Sequence, residues 1–160
     1  MMSPFQIRVD DLSGPDVAGL LQQHLDSVAV YSPPESVHAL DHEALRAPDV
    51  TFWSVWQGSE LVGCGARREL DPDHGEVRSM RTASSHLRKG VAAARLEHML
   101  SEARKRSYQR VSLETGSMET FASARALYAR FGFLPCGPFV GYVEDRNSVF
   151  MTRVLETNEL

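Results

Sequence analysis

The sequence predicts a single α/β (α+β) domain over residues 1–160, with elements in the order β-α-α-β-β-β-α-β-α-β-β. Three observations carry this. The chain has 160 residues, one domain's length, and 42% of them are hydrophobic, enough for one core. Stretches of apolar–polar alternation take turns with stretches whose apolar residues recur at helical spacing. Clusters of Gly, Pro, Asp and Ser separate them, and no repeat or low-complexity tract interrupts the pattern.

Gln6–Asp10 alternates and reads as the first strand. Asp11, Ser13 and Pro15 supply helix-start chemistry, after which Val17, Leu20, Leu21 and Leu25 fall on one helical face. Tyr31-Ser32-Pro33-Pro34 ends that helix, since proline lacks the N–H a helix needs, and a shorter helix follows over Glu35–Leu45. Thr51–Trp56 is rich in β-formers, Gly58-Ser59 turns, and Glu60–Leu70 returns as the partner strand. Asp71-Pro72-Asp73-His74-Gly75 is dense in turn residues, and Glu76–Thr82 is extended. From Lys89 the period changes. Ala92, Leu96, Met99, Leu100 and Ala103 form one buried stripe, with Arg95, Glu97, Glu102 and Arg104 on the other face. Arg110–Glu114 is a short strand. Phe121–Phe131 is a helix with Ala124, Leu127, Tyr128 and Phe131 on one side, closed by Gly132. Phe133–Pro135 and Ser148–Val154 are the closing strands.

Composition excludes several classes of function. No apolar run reaches the ~18 residues of a spanning helix. Residues 1–10 lack the layout of a secretory signal. Cys64 and Cys136 are too few for a disulfide framework, so a cytoplasmic protein is expected. The 17 basic and 21 acidic residues give a net charge of −4, which argues against nucleic-acid and membrane-surface partners. The charge is unevenly spread: residues 78–110 hold nine basic and two acidic residues. A compact positive segment of that kind suits one small polyphosphate.

The richest stretch is Glu76–Leu100: a strand, a polar turn, then a helix opened by Arg88-Lys89-Gly90-Val91-Ala92-Ala93. A helix N-terminus has unpaired N–H groups and the positive end of the dipole, so it can hold a phosphate. Gly90 permits close backbone approach, Ala92 and Ala93 keep the first turn free of bulk, and Arg88 and Lys89 add charge. The plainer reading is an amphipathic helix with a basic first turn, although cations there oppose the dipole unless an anion is bound. The stretch matches neither GxxxxGK[ST] nor GxGxxG.

Ser85-His86-Leu87-Arg88-Lys89-Gly90-Val91-Ala92-Ala93-Ala94-Arg95-Leu96 after its strand resembles the acyl-CoA-binding motif of the GNAT N-acetyltransferases, Arg/Gln-x-x-Gly-x-Gly/Ala. Gly90 and Ala92 match, while Leu87 stands where Arg or Gln is usual. Ala124-Arg125-Ala126-Leu127-Tyr128-Ala129-Arg130-Phe131-Gly132-Phe133 resembles the family's AxxLYxxxGF segment, with Ser123 where Asn is frequent. Ser32-Pro33-Pro34-Glu35-Ser36, Ser79-Met80-Arg81-Thr82 and Leu113-Glu114-Thr115-Gly116-Ser117-Met118 are similar to a bacterial subgroup of poorly defined substrate.

The resemblance implies a GNAT-like fold with a mixed, mostly antiparallel sheet, and direct transfer of acetyl from acetyl-CoA to an amine. It implies that the strand at Glu76–Thr82 splays from its neighbour, with the pantetheine arm along the backbone near Met80 and Thr82. Arg88, Lys89, Gly90, Val91, Ala92, Ala93 and Ser123 complete the implied cofactor site. Tyr128 is the implied general acid, against the alternative of a core aromatic. Glu76 and Glu114 are the candidate bases, against exposed strand carboxylates. The expected acceptor is a small molecule, shaped by Pro15–Leu45 and the loop Pro138–Asn147. A protein N-terminus or lysine is the alternative acceptor, and a non-catalytic acyl-CoA sensor or interaction module the alternative function. Exposed strand edges permit a homodimer.

Other residues take plainer readings. His38 and His42 are four apart but lack the Glu of HExxH and a third ligand, so a surface helix is expected and no metal. Asp71, Asp73 and His74 read as turn chemistry. Cys136 reads as a buried, non-catalytic thiol. Arg67, Arg68, Arg78 and Arg81 leave two readings: solvated strand arginines, or one that meets an acceptor carboxylate. Strand parity puts Arg78 and Arg81 on opposite faces.

Overall fold

The computed structural model describes residues 4–22, 44–87, 89–139 and 141–155. Among these residues seven strands form one sheet: β1 (Gln6–Val9), β2 (Val50–Gln57), β3 (Glu60–Asp71), β4 (His74–Thr82), β5 (Arg110–Gly116), β6 (Leu134–Cys136) and β7 (Ser148–Val154). Their spatial order is β1-β2-β3-β4-β5-β7-β6. Neighbours run antiparallel except β4 and β5, which are parallel and joined through a helix, as a parallel connection requires. Helix α1 covers residues 15–22, α2 is Val91–Lys105 and α3 is Ala122–Arg130.

The strands expected from alternation are all present, with shifted ends. β3 runs to Asp71 and β4 begins at His74, so the turn shrinks to Pro72-Asp73, where the Asp73 N–H donates to Asp71 Oδ1 at 2.7 Å. The expected helix at Glu35–Leu45 falls almost wholly outside the described residues. Its end meets a single 3-10 turn, Ala44–Arg46. His38 and His42 lie outside them as well.

Two layers flank the sheet. On one face α2 and α3 pack over Val77, Val111, Leu113 and Met151, burying Leu96, Met99, Leu100, Tyr128 and Phe133 in one cluster. On the other face, Val17, Leu20 and Leu21 of α1 join Leu45, Phe52, Cys64 and Ala66 over β2 and β3. Elsewhere on that second face, Phe139 and Tyr142, from the segment before β7, pack against each other and against Phe150 of β7.

The α2 stripe departs from expectation at one position. Arg95 was expected on the polar face, yet it is only 5% exposed and lies among Val91, Leu96 and Met99. It falls in one series with the buried Val91, Met99 and Ala103, the four positions being four residues apart in turn. The sheet makes room for it. A Cβ on Gly65 would lie 3.1 Å from Arg95 Cδ and 3.1 Å from Met99 Sδ, and one on Gly63 would lie 2.9 Å from the Arg81 carbonyl oxygen.

Candidate active site

The site begins where the one parallel pair of strands comes apart. β4 and β5 are registered from His74↔Arg110 to Val77↔Leu113 and no further, although β4 continues to Thr82 and β5 to Gly116. The cause is in β4. Against β3, Arg78 pairs with Ala66 and Arg81 with Cys64, so three steps of β4 match two of β3. This is a β-bulge, which bends the strand that carries it. The backbone of 78–82 keeps β3 on one side and turns its other edge to the gap. The bulge also corrects a parity expectation: Ala66 and Cys64 share a face, so Arg78 and Arg81 lie on the same side of the sheet.

Each diverging strand is tied to a helix by an arginine. Arg95 Nη1 on α2 donates to the Arg81 carbonyl at 2.7 Å, to Thr82 Oγ1 at 3.3 Å and to the Cys64 carbonyl at 3.3 Å. Arg125 Nη1 on α3 donates to the carbonyls of Gly116 at 2.6 Å and Met118 at 2.9 Å. The gap therefore has two framed walls, β4 with α2 and β5 with α3.

At the head of the first wall, Gly90 is the N-cap of α2 with φ +89°, a left-handed conformation that suits glycine. Among the described residues no side chain caps the helix, which leaves the first-turn N–H groups of Val91, Ala92 and Ala93 without an intrahelical acceptor. Lys89 is exposed beside them, and Arg88 lies outside the described residues. The basic segment is less compact than its sequence implied. Arg104, Lys105 and Arg106 are exposed at the far end of α2, about 21 Å from Gly90 at 1.5 Å per residue, and Arg78 and Arg95 are buried. Met80 is in β4 and Thr82 ends it.

Tyr128 projects from α3 into the helix-side core, edge-on to Phe133 at 6.0 Å. Burial raises the pKa of its hydroxyl, and the Arg95 charge pulls it back. Ser123 is exposed in the first turn of the same helix.

The opposite face of β4 carries Glu76, only 1% exposed. Tyr142 donates its hydroxyl to Glu76 Oε2 at 2.7 Å, and Arg78 Nη1 in turn donates to the Tyr142 oxygen. Arg78 also sits 3.6 Å from Glu76 Oε2, its side chain 8% exposed. That corrects the reading of Arg78 as a solvated arginine. Arg67 is buried too, donating to Thr51 and facing the rings of Trp53 and Tyr108. Glu76 Oε1 is buried without a hydrogen-bond partner. Burial raises the Glu76 pKa, while Arg78, the Tyr142 hydroxyl and Arg68 oppose the rise and Glu114 adds to it. Glu114 is half-buried on this face, two residues after Ser112, the partner of Glu76 in register. A buried chain continues from Ser112: His74 Nε2 meets its hydroxyl at 2.6 Å and Thr152 Oγ1 lies 2.8 Å beyond. His74 thus turns inward and away from Asp71 and Asp73.

Tyr142 is the site residue that sequence reasoning missed. It lies 66 positions from Glu76, in a loop without periodicity. The signal available was two aromatics, Phe139 and Tyr142, in a stretch otherwise read as a loop. Cys136, expected to be buried, is exposed on edge strand β6. Beyond the end of β4, a cavity of about 610 Å3 opens between α1, the β2–β3 turn and Ala83–Ser85, with Asp16 and Glu60 on its wall.

Residues 19–133 match the profile of the acetyltransferase (GNAT) family. The chain belongs to that family. It is 59% identical over 149 residues, 93% of this chain and 99% of the other, to the Bacillus subtilis protein named uncharacterized N-acetyltransferase YsnE. It is 48% identical to the Escherichia coli protein named uncharacterized N-acetyltransferase YedL, covering 98% of this chain and 99% of that one. Among solved structures, a GNAT family acetyltransferase from Elizabethkingia anophelis with acetyl-CoA bound superposes with a TM-score of 0.68 at 14% identity, covering 96% of this chain and all of that one. The chain is thus an acetyltransferase of the GNAT fold, with a mixed sheet as expected. No described helix is long and apolar enough to cross a membrane.

Proposed function

We propose that the chain transfers the acetyl group of acetyl-CoA directly to the amine of a small-molecule acceptor. The observation that carries this reading is the gap between β4 and β5, open beyond Val77 and Leu113 and flanked by the uncapped N-terminus of α2. The pantetheine arm lies along the free edge of β4 near Met80 and Thr82. The pyrophosphate lies on the N–H groups of Val91, Ala92 and Ala93, close to Gly90, with charge from Arg88 and Lys89. Ser123 borders the arm from α3. The buried position of Glu76 beneath Tyr142 favours a small acceptor over a protein surface. Asp16 and Glu60 beside the cavity favour one that carries positive charge.

In the reaction the neutral amine nitrogen attacks the thioester carbon. A backbone N–H of β4 stabilises the oxyanion. The C–N bond forms, Glu76 takes the proton from nitrogen, the C–S bond breaks, and Tyr128 gives its hydroxyl proton to sulfur. Solvent then takes the proton from Glu76 and returns one to Tyr128, so amine and acetyl-CoA become amide and CoA. Glu114 is the second carboxylate on the Glu76 face and the alternative proton acceptor.

Calorimetry with acetyl-CoA and thiol release across a panel of small amines and peptides test the reading. Binding with turnover on small amines is expected, and Tyr128→Phe should lower kcat about 100-fold. Turnover on peptides alone would overturn the acceptor assignment, and binding without turnover would make the chain an acyl-CoA sensor.

A further inference from the structure

We propose that Arg95 is a positioning residue for acyl transfer: it clamps the free end of β4 and sets an uncompensated positive charge beside the place where the CoA thiolate is released. The inference rests on the acyl-CoA reading of the gap and on Tyr128 standing near the sulfur.

Among the described residues Arg95 is a buried cation without an anionic partner. Its Nη1 hydrogen bonds reach two carbonyls and one hydroxyl, all neutral, and its Nε is buried without a partner. Among the described residues the titratable groups that feel its charge are Tyr128 on α3 and Cys64 on β3, both neutral at physiological pH. Burial holds the Cys64 thiol at about 11. A buried charge normally has a counter-ion, because desolvating it alone costs several kcal/mol. Yet the sheet accommodates this one with two glycines, Gly63 and Gly65, where side chains would collide with its surroundings. The missing anion would be supplied by the reaction: the sulfur that gains negative charge as the C–S bond breaks.

The clamp also prepares the strand. Thr82 Oγ1 accepts from Arg95, which leaves the Thr82 hydroxyl proton free to be donated elsewhere, as to an amide carbonyl of the pantetheine arm. The Arg81 carbonyl is occupied by the same guanidinium. Arg95 therefore decides which groups at the end of β4 remain available to a ligand. An arginine stays protonated across the working pH range, so its field on Tyr128 and on the sulfur is constant.

The test titrates the thiol of CoA bound to the protein, followed by ultraviolet thiolate absorbance, and needs no acceptor. The thiol pKa should fall by about one unit or more on binding to wild type. Arg95→Met should lose most of that shift, Arg95→Lys should keep most of it, and Tyr128→Phe, which removes a hydroxyl donor to the sulfur, should lose only a smaller part. Arg95→Gln retains a donor for the Arg81 carbonyl and separates charge from clamp: it should lose the shift yet bind CoA better than Arg95→Met. A merely structural arginine would alter CoA affinity and leave the thiol pKa unmoved. If bound CoA titrates like free CoA in wild type, or if Arg95→Gln and Arg95→Met retain the shift, the proposal is overturned. Failure of wild type to bind CoA at all would instead overturn the acyl-CoA reading beneath it.

Discussion

β4 lies between two buried charges that are held in opposite ways. On the loop side, Glu76 has a hydroxyl donor in Tyr142 and a cation in Arg78. On the helix side, Arg95 has three neutral oxygens and an unpaired Nε. The contrast suits the role proposed for each group. A carboxylate that must accept and release a proton needs partners that keep both of its states accessible. A guanidinium does not give up its proton, so an unpaired one contributes a fixed field that a counter-ion would cancel. Under the proposed mechanism the base and the fixed charge thus sit on opposite faces of one strand, with Tyr128, the proposed acid, on the side of the fixed charge.

The most severe way to break this contrast is Glu76→Gln, expected to lower kcat/KM about 10²- to 10⁴-fold in acetyl transfer to an amine acceptor. The same variant has a stability signature. Burial raises the Glu76 pKa, so the folded chain binds an extra proton between the unfolded value, about 4.3, and the folded one. The stability from that proton is complete below the unfolded value and is lost as pH rises through the folded one. Glu76→Gln has no such loss. Its Tm should therefore gain on wild type as pH rises across that window, and a constant Tm difference would show that Glu76 is not held this way.

On the helix side, Gly65→Ala presses a methyl group toward Arg95 and Met99. An overpacking cost of about 1–3 kcal/mol is expected in denaturant unfolding, with weaker acetyl-CoA binding. Unchanged stability would mean that Arg95 has slack. A smaller effect is expected from Tyr142→Phe, which removes the donor that holds the Glu76 pKa down. The acid limb of kcat/KM should move to higher pH, with a loss of less than about tenfold at the optimum. A limb that stays put would separate Tyr142 from the base. Smallest of all is Lys105→Ala, which should leave acetyl-CoA affinity unchanged within about twofold, since Lys105 sits at the far end of α2 beyond screening distance from Gly90. A large loss by calorimetry would restore the basic segment as one unit.

The succession of strands and helices along the chain was readable because alternation, turn residues and helical spacing are local signals. Glu76 and Tyr128 entered as candidate site residues through the family resemblance, and the start of α2 first through its own Arg88-Lys89-Gly90 chemistry. Arg95 was not, because a rule that buries apolar residues removes arginine from the stripe, although its spacing from Val91 and Met99 fits. Gly63 and Gly65, alternating on β3, were the complementary signal. Tyr142 reaches Glu76 across the sheet, and no local pattern encodes such a contact. The bulge was equally hidden, since it is a property of how β4 pairs with β3 rather than of residues 78–81 alone. Without it, parity assigned Arg78 and Arg81 to opposite faces.

That one-residue slip has a consequence for how such a cleft arises. A β4 shorter by a single codon between Arg78 and Arg81 would stay in step with β3 and lie straight alongside β5, and the gap would close into ordinary sheet. The proposed cofactor groove is thus one insertion away from a featureless surface. A lineage could acquire or lose it in a single mutational event, while the core on either face kept its composition.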